Sequence, residues 1–237
     1  MKKLMATGFV LFTGTWAMQA SILAQWTFET SVPSTAGPFT AENGVYNTTS
    51  AALGFHASAS TVYSNPAGAG SAESFSADHW AIGDYFQFAT STLGYSGVQI
   101  SFEASSSSTG PVNFKFAYSP DGQHFTDFNT YTLLGTWSSN LSPSGVAKYS
   151  FPFDLSTVAA LDNQTSVYFR LIDDGTTAIN GGTVGTGGSS RVDDFTISAD
   201  PIQTAAVPEP STWLAGALAL LPVGYQGIRR VCHRRQD

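Results

Sequence analysis

The sequence predicts an all-β fold, an antiparallel β-sandwich, for the body of the chain. Apolar and polar residues alternate over 98–105 and again over 112–119, which gives each segment one dry face and one wet face. In the body of the sequence, no stretch keeps a helical apolar stripe over three turns. Residues 119–122, Ser-Pro-Asp-Gly, place proline and glycine where a tight turn needs them, so a hairpin is expected there.

Nine or ten short strands are predicted, separated by loops rich in glycine, serine and proline. The predicted strands are 25–29, 44–46, 84–89, 98–105, 112–119, 124–128, 131–135, 149–155, 167–171 and 191–198. This many strands in about 180 residues is typical of a β-sandwich. Two long loops, 64–74 and 173–190, are candidate recognition loops, and the alternative is that they are linker loops without a function, which have the same composition.

Charge and cysteine content restrict the partners of this body. Between Gln25 and Val207 there are fifteen acidic residues and four basic ones, a formal charge of −11. Such a surface repels phosphate backbones, so nucleic-acid binding is not expected, whereas divalent cations and neutral or cationic polymers remain as partners.

The single cysteine, Cys232, lies near the C-terminus, so the body is expected to fold without a disulfide.

The N-terminus has the pattern of a secretory signal peptide, which we assign to residues 1–24. Lys2 and Lys3 precede a mostly apolar run to about Met18, and small residues follow. Cleavage is expected after Ala24, with Ala20 as the competing position. The β-sandwich domain is accordingly assigned to residues 25–200.

The C-terminal residues combine a proline motif, an apolar segment and an arginine cluster. Residues 201–211 form a linker whose prolines favour an extended, exposed chain. Residues 212–228 carry no charge and as a helix span roughly 25 Å, close to the thickness of a bilayer core. The tail 229–237 is expected in the cytoplasm because of its positive charge. Its charged anchor consists of Arg229, Arg230, Arg234 and Arg235. The alternative is a buried hydrophobic helix with a basic end.

This order of parts resembles the PEP-CTERM sorting signal of Gram-negative bacteria, in which a Pro-Glu-Pro motif precedes a transmembrane helix and an arginine-rich end. Pro208, Glu209 and Pro210 match the motif. The resemblance implies that exosortase, a membrane transpeptidase-like enzyme, recognises the motif and releases or transfers the protein at the cell surface. It also implies export through the inner membrane by the secretion machinery, and a final place in the envelope, on the outer surface or in the extracellular matrix.

Three short motifs mark the body: Trp-Thr-Phe-Glu at 26–29, Tyr-Ser-Pro-Asp-Gly at 118–122 and Arg-Val-Asp-Asp-Phe-Thr-Ile at 191–197. In these the body resembles the jelly-roll domains of secreted bacterial proteins, which include carbohydrate-binding modules. In such jelly rolls the terminal strands come together, and acidic residues beside them hold a structural calcium ion. The resemblance implies Ca²⁺ ligands at Glu29 with Asp193 or Asp194. The alternative is that these carboxylates are simply solvated at strand ends.

The sequence offers little for catalysis. His56, His79 and His124 are scattered without the paired spacing of a zinc site. A glycosidase needs two carboxylates that face each other across the sugar. In the pairs 173–174 and 193–194 adjacent side chains in a strand would point to opposite faces, so no catalytic residue is nominated and no enzyme is expected.

Aromatic rings beside polar neighbours are sufficient for sugar binding. Trp80, Tyr85 and Trp137 are the candidates, with Tyr95 as a further one, although such rings more often pack in cores. We therefore expect a cell-surface or extracellular-matrix protein with a structural or interaction role in the envelope or exopolysaccharide layer. The alternative is a carbohydrate-binding module that recognises exopolysaccharide, and a glycoside-active enzyme comes third.

Overall fold

The computed structural model describes residues 19–138 and 140–203. These residues form thirteen strands in two sheets and one helix of four residues, α1 (Pro143–Val146). In chain order the strands are β1 (Ser21–Trp26), β2 (Phe39–Thr40), β3 (Ala51–Phe55), β4 (Tyr63–Ser64), β5 (Phe75–Ala77), β6 (Tyr85–Thr90), β7 (Tyr95–Ser106), β8 (Asn113–Ser119), β9 (Thr126–Thr132), β10 (Leu134–Gly135), β11 (Ser150–Asp154), β12 (Val167–Asp173) and β13 (Ser190–Pro201).

The first sheet has seven strands and is organised around the two longest, β7 and β13. β13 pairs antiparallel with β7 along one side, and with β5 and then β1 along the other. β4 extends the sheet beyond β5, while β11 and β10 pair with the far side of β7, β10 in parallel. The first and last strands of the domain are therefore hydrogen-bonded neighbours, as expected for terminal strands that come together.

The second sheet has six strands in the order β2-β3-β6-β12-β8-β9, and all its pairings are antiparallel. The predicted hairpin across residues 119–125 is present as β8 and β9. The two-sheet antiparallel sandwich predicted from the alternation of apolar residues is thereby confirmed.

Aromatic side chains fill the space between the sheets. Trp26 is fully buried, its ring centroid lies 5.2 Å from that of Phe88, and its indole N–H donates to the Phe39 carbonyl oxygen at 2.9 Å. Phe88 of the second sheet stacks on Phe195 of the first with ring planes 1° apart. Phe102 stacks in turn on Phe195, with ring centroids 5.5 Å apart, so four rings from four strands tie the layers together.

The predicted strand 44–46 is wrong, and two others have different bounds: β1 ends at Trp26 and not at residue 29, and 131–135 covers the end of β9 and all of β10. Residues 44–46 form a turn, and a 3-10 turn at Asn47–Thr49 follows. Only an isolated bridge from Asn43 to Gln25 lies beside them. Gly44 has a φ of +111° and lies so close to Leu23 that a Cβ atom would be 2.5 Å from the Leu23 carbonyl oxygen, which only glycine accommodates.

Several assignments fall outside the described residues. These are most of the predicted signal peptide, the Pro-Glu-Pro motif, the apolar segment 212–228 and the arginine tail. The compact unit that contains the sandwich ends at Ile202. Within residues 19–138 and 140–203, the protein has no helix with the length and apolar character needed to cross a bilayer.

The start of β1 bears on the position of signal-peptide cleavage. β1 begins at Ser21, and both Leu23 and Ala24 are fully buried against the core. Cleavage after Ala24 would remove four of the six residues of β1, and with them much of its pairing to β13. Cleavage after Ala20 leaves the strand whole.

A fragment of residues 25–203 is expected to be less stable than one of residues 21–203. Loss of the buried Leu23 side chain alone costs about 2–5 kcal/mol, and the lost strand pairing adds to it. Urea unfolding of the two fragments measures the difference. Equal free energies of unfolding would show that the domain does not need the first four residues of β1.

Candidate ligand-binding face and buried carboxylates

The second sheet presents one face to the core and one to the surface. Along β6, Phe86 and Phe88 are buried, while Tyr85 and Gln87, which alternate with them, are partly exposed. β12 alternates in the same way, which brings Arg170 to the outer face beside β6. This outer face is where a ligand has access to the sheet.

A row of four side chains crosses the outer face from β3 to the β8–β9 turn. The Phe55 ring stacks on that of Tyr85 with centroids 5.1 Å apart and planes at 16°. The Arg170 guanidinium lies 3.9 Å from the centre of the Tyr85 ring and 3.6 Å from the centre of the Phe125 ring. Phe55, at the end of the row, is 53% exposed. We call Phe55, Tyr85, Arg170 and Phe125 the aromatic row.

The turn between β8 and β9 places Phe125 in the row. The Asp121 carboxylate accepts the backbone N–H groups of Gln123 and His124, each at 2.8 Å. These hydrogen bonds hold the pKa of Asp121 well below its usual range, and the one from His124 has the largest effect. Gly122, at φ +73°, packs against Tyr168, where a Cβ atom would be 2.9 Å from the ring. The turn is therefore fixed against the sheet.

Of the four aromatic residues that the sequence indicates as candidates, only Tyr85 lies on this face; Tyr95 begins β7 in the first sheet and packs edge-on against Tyr46. Trp80 is 6% exposed and packs edge-on against Phe86 and Phe114, and its N–H donates to the Ala77 carbonyl oxygen. Trp137 is 4% exposed and donates to the Ala67 carbonyl oxygen at 2.7 Å. The two tryptophans hold loops to the sandwich and present no open ring face.

The sequence reasoning missed Phe55, Arg170 and Phe125. They come from three separate segments, and only the register of β3, β6 and β12 brings them beside Tyr85. A local signal existed for Arg170 alone, because it is a charged residue at an outward position of a strongly alternating strand.

The carboxylates that the jelly-roll resemblance nominated bind a loop. Glu29 accepts the backbone N–H groups of Ala72 and Glu73 at 3.0 and 2.9 Å. Asp193, fully buried, accepts the Ala69 N–H at 2.8 Å and the Ser71 hydroxyl at 2.7 Å. Both side chains therefore hold the segment 69–73, and their oxygens take the hydrogen bonds of N–H and O–H donors.

A β-bulge in β13 places further acidic side chains beside Asp193. The register between β13 and β7 shifts after Asp193, where Asp194 has a φ of +47°. Asp193 stands opposite Glu103 across the ladder, and like charges at opposite positions destabilise a sheet. Burial, followed by the charges of Asp194 and Asp193, raises the pKa of Glu103 to about 8. Burial also raises the pKa of Asp193 to about 7.

These carboxylates do not assemble a calcium cage in the described residues. Nowhere in that part of the chain do three or more histidine, cysteine, aspartate or glutamate side chains converge on a position for a metal ion. Ca²⁺ prefers six to eight oxygen ligands, and here Glu29 and Asp193 already serve backbone donors. The geometry therefore does not fit the calcium site that the resemblance implied.

A second cluster of buried polar side chains, which contains Asp84, His56 and Asp173, lies at one end of the second sheet. Asp84 accepts the backbone N–H groups of Ala57 and Ala81, each at 2.8 Å. The His56 ring packs beside Trp80 with centroids 4.2 Å apart, and burial lowers its pKa. Burial raises the pKa of Asp173 to about 7, with the charge of Asp84 as a smaller contribution. These groups fix loops and lie away from an open surface.

Comparisons with known proteins return structures of similar architecture. Neither a family model nor a curated protein sequence matches the chain. The K2 cleaved adhesin domain of Lys-gingipain is 13% identical, covers 73% of this chain and 97% of its own, and gives a TM-score of 0.43. The CBM22-2 xylan-binding domain from Paenibacillus barcinonensis is 15% identical, with coverages of 62% and 91% and a TM-score of 0.41. TmCBM61, solved with β-1,4-galactotriose, is 9% identical, with coverages of 64% and 88% and a TM-score of 0.38. Similarity this distant does not transfer a function.

Glu103→Gln is expected to stabilise the domain increasingly as the pH rises from about 5 to 8. The folded-state pKa of about 8 lies above the usual value near 4.3, so the folded state binds the proton more tightly. Wild-type stability from this group is complete below the unfolded pKa and is lost as the pH rises through the folded pKa. Glutamine does not titrate, so the difference in unfolding free energy should grow with pH and level off above 8. Urea unfolding at a series of pH values measures it.

Ser101→Ala, at an exposed and non-titrating position of β7, is the matched control and should differ from the wild type by the same amount at every pH. A flat pH dependence for Glu103→Gln would contradict the electrostatic origin of the destabilisation. A fall in the melting temperature of the wild-type protein in EDTA would show instead that a bound cation neutralises these carboxylates.

Proposed function

We propose that the protein is an exported, non-catalytic polysaccharide-binding protein with a jelly-roll-like domain, and that the outer face of its second sheet is the binding site. The observation that carries this proposal is the aromatic row. It places three rings and one cation on the outer face of the second sheet, with the Phe55 ring 53% exposed at its end.

The chemistry of the row suits a sugar chain. The C–H faces of pyranose rings are apolar and pack on aromatic side chains, while their hydroxyl groups need donors and acceptors close by. Because Phe55 and Arg170 cover the two faces of the Tyr85 ring, the exposed Phe55 ring offers the aromatic surface on which a sugar packs. Gln87 lies in register with Leu53 and Arg170 beside the row and supplies amide groups. An extended face across several strands fits a linear polymer better than a small molecule, which needs an enclosed cavity.

Phe55→Ala is expected to weaken polysaccharide binding by about 5- to 30-fold, and Tyr85→Ala should weaken it as well, because the Tyr85 ring holds Phe55 and Arg170 in place. Removal of one aromatic contact at a binding surface costs about 1–2 kcal/mol. Phe55 is 53% exposed, so its removal should leave the fold intact. Affinity electrophoresis against a panel of bacterial exopolysaccharides identifies a ligand, and isothermal titration with that ligand measures the loss.

Phe128→Ala is the matched control. Phe128 is 37% exposed and lies on β9, but its ring contacts Phe116 and Phe153, which belong to the core side of the sandwich. It should bind as the wild type does. If all three variants lose affinity equally, or if no polysaccharide of the panel binds, the aromatic row is not a sugar-binding site.

The proposal includes export and sorting by the two ends of the chain. The signal peptide is cleaved after Ala20, which keeps β1 complete. Exosortase recognises Pro208, Glu209 and Pro210, the segment 212–228 spans the inner membrane until processing, and the arginines that follow it remain in the cytoplasm. The domain then acts in the exopolysaccharide layer outside the cell.

Mass spectrometry of the mature protein is expected to find Ser21 at the N-terminus and a C-terminus at or near the Pro-Glu-Pro motif. Pro208→Ala combined with Pro210→Ala should leave residues 212–237 attached and the protein in the inner-membrane fraction, because the recognised motif is lost. Pro201→Ala, outside the motif, should be processed normally. A mature protein that retains the arginine tail at the cell surface would refute the sorting assignment.

A further inference from the structure

Arg170 is a half-buried cation without an anionic partner among the described residues. Its Nε–H donates to the Gln87 side-chain oxygen at 2.8 Å, and its guanidinium faces are covered by Tyr85 and Phe125. Burial lowers its pKa, and the only charge effect opposing this comes from Tyr85. In the described part of the chain no carboxylate forms an ion pair with it.

Of the four basic residues between Gln25 and Val207, Lys115 alone forms an ion pair within the described residues, so what distinguishes Arg170 is the lack of a carboxylate together with its position between two rings. Between Gln25 and Val207 carboxylates outnumber basic residues fifteen to four, so partners for a cation are abundant. Lys115, on the neighbouring strand β8, has such a partner in Asp127 at 3.0 Å. Arg191, on the first sheet, donates to the Ala67 carbonyl oxygen. The Arg170 guanidinium lies between two rings. Among the described residues its terminal N–H groups donate neither to a carboxylate nor to a backbone carbonyl oxygen.

We propose that the aromatic row selects acidic polysaccharides, and that Arg170 binds the carboxylate of a uronic acid residue packed on the row. This inference rests on the proposed sugar-binding function of the same face and names its substrate class. A guanidinium forms two parallel N–H···O bonds with a carboxylate, and its planar shape lets it stack on aromatic rings at the same time. The stacked rings fix the orientation of Arg170 before the ligand arrives, so little side-chain freedom is lost on binding.

The acidic surface of the domain does not prevent this contact. At physiological ionic strength exposed charges more than about 8 Å apart are largely screened, whereas a partly buried pair is screened much less. Long-range repulsion therefore slows the approach of a polyanion, and the short-range pair at Arg170 decides which sugar stays bound.

The experiment compares acidic polysaccharides with their carboxyl-reduced forms, in which each uronic acid becomes the neutral sugar of the same configuration. The probes are polygalacturonate, alginate and a glucuronic-acid-containing exopolysaccharide, tested against the exported protein by isothermal titration at pH 7 and 150 mM NaCl. At least one acidic probe should bind about tenfold or more tightly than its reduced form, as a charge-assisted hydrogen-bonded pair provides.

Arg170→Gln should bind the acidic and reduced forms equally, and Arg170→Lys should recover only part of the preference because an ammonium group cannot form the bidentate pair. Lys148→Gln removes one positive charge at an exposed position away from the row and should keep the wild-type preference. Melting temperatures establish that the variants are folded.

Three results would overturn the inference. If the wild type binds reduced and acidic forms equally, the selectivity is absent while the sugar-binding function stands. If Lys148→Gln loses the preference as fully as Arg170→Gln, the effect is one of net charge and not of the row. If no polysaccharide binds, acidic or neutral, the inference and the proposed function both fail.

Discussion

The pairing of the last strand, β13, with β1 and β7 is the interaction on which the rest of this structure depends. The described domain has no cysteine, so hydrogen bonds and packing must close the chain. β13 joins the beginning of the domain to its longest internal strand and sets Phe195 between Trp26, Phe88 and Phe102. Because Phe88 belongs to the opposite sheet, the same residue that closes the chain also joins the two layers. Burial of aromatic rings at this place stabilises a described domain that has no disulfide to close it.

Closing the chain through β13 also buries acidic side chains close to one another, which costs electrostatic free energy. The bulge at Asp194 turns Phe195 into the core, but it also leaves Asp193 buried opposite Glu103. The segment 69–73 covers this place and supplies the N–H and hydroxyl groups that Asp193 and Glu29 accept. Hydrogen bonds of this kind offset part of the desolvation of a carboxylate, although the raised pKa values of Asp193 and Glu103 indicate that the compensation is incomplete. The loop is therefore part of the sandwich and not a free recognition loop.

Sequence alone gave the class of fold because strand alternation is a local signal. β7, β8, β12 and β13 carry that signal over seven or more residues, and the sequence predicts each of them close to its bounds. The short strands were missed because three residues such as Phe75–Ala77, all buried, carry no alternation to read. The site depends on non-local register: Tyr85 was nominated as an aromatic residue, but nothing in its neighbourhood in sequence indicates that Phe55 and Arg170 flank it. Trp80 and Trp137 were nominated by residue type, which does not distinguish a ring that fills a loop anchor from one that faces solvent.

The aromatic row differs from a structural stack in what surrounds its cation. A guanidinium that served only to hold two rings together would gain from a carboxylate at its free edge, since a hydrogen-bonded ion pair lowers the cost of its partial burial. The neighbouring strand provides that arrangement for Lys115 through Asp127. At Arg170 the same sheet places the neutral Gln87 instead, and the turn held by Asp121 brings the Phe125 ring over the guanidinium in place of a carboxylate. The face thus retains an oriented positive charge within an otherwise acidic domain, and among the described residues no carboxylate pairs with it.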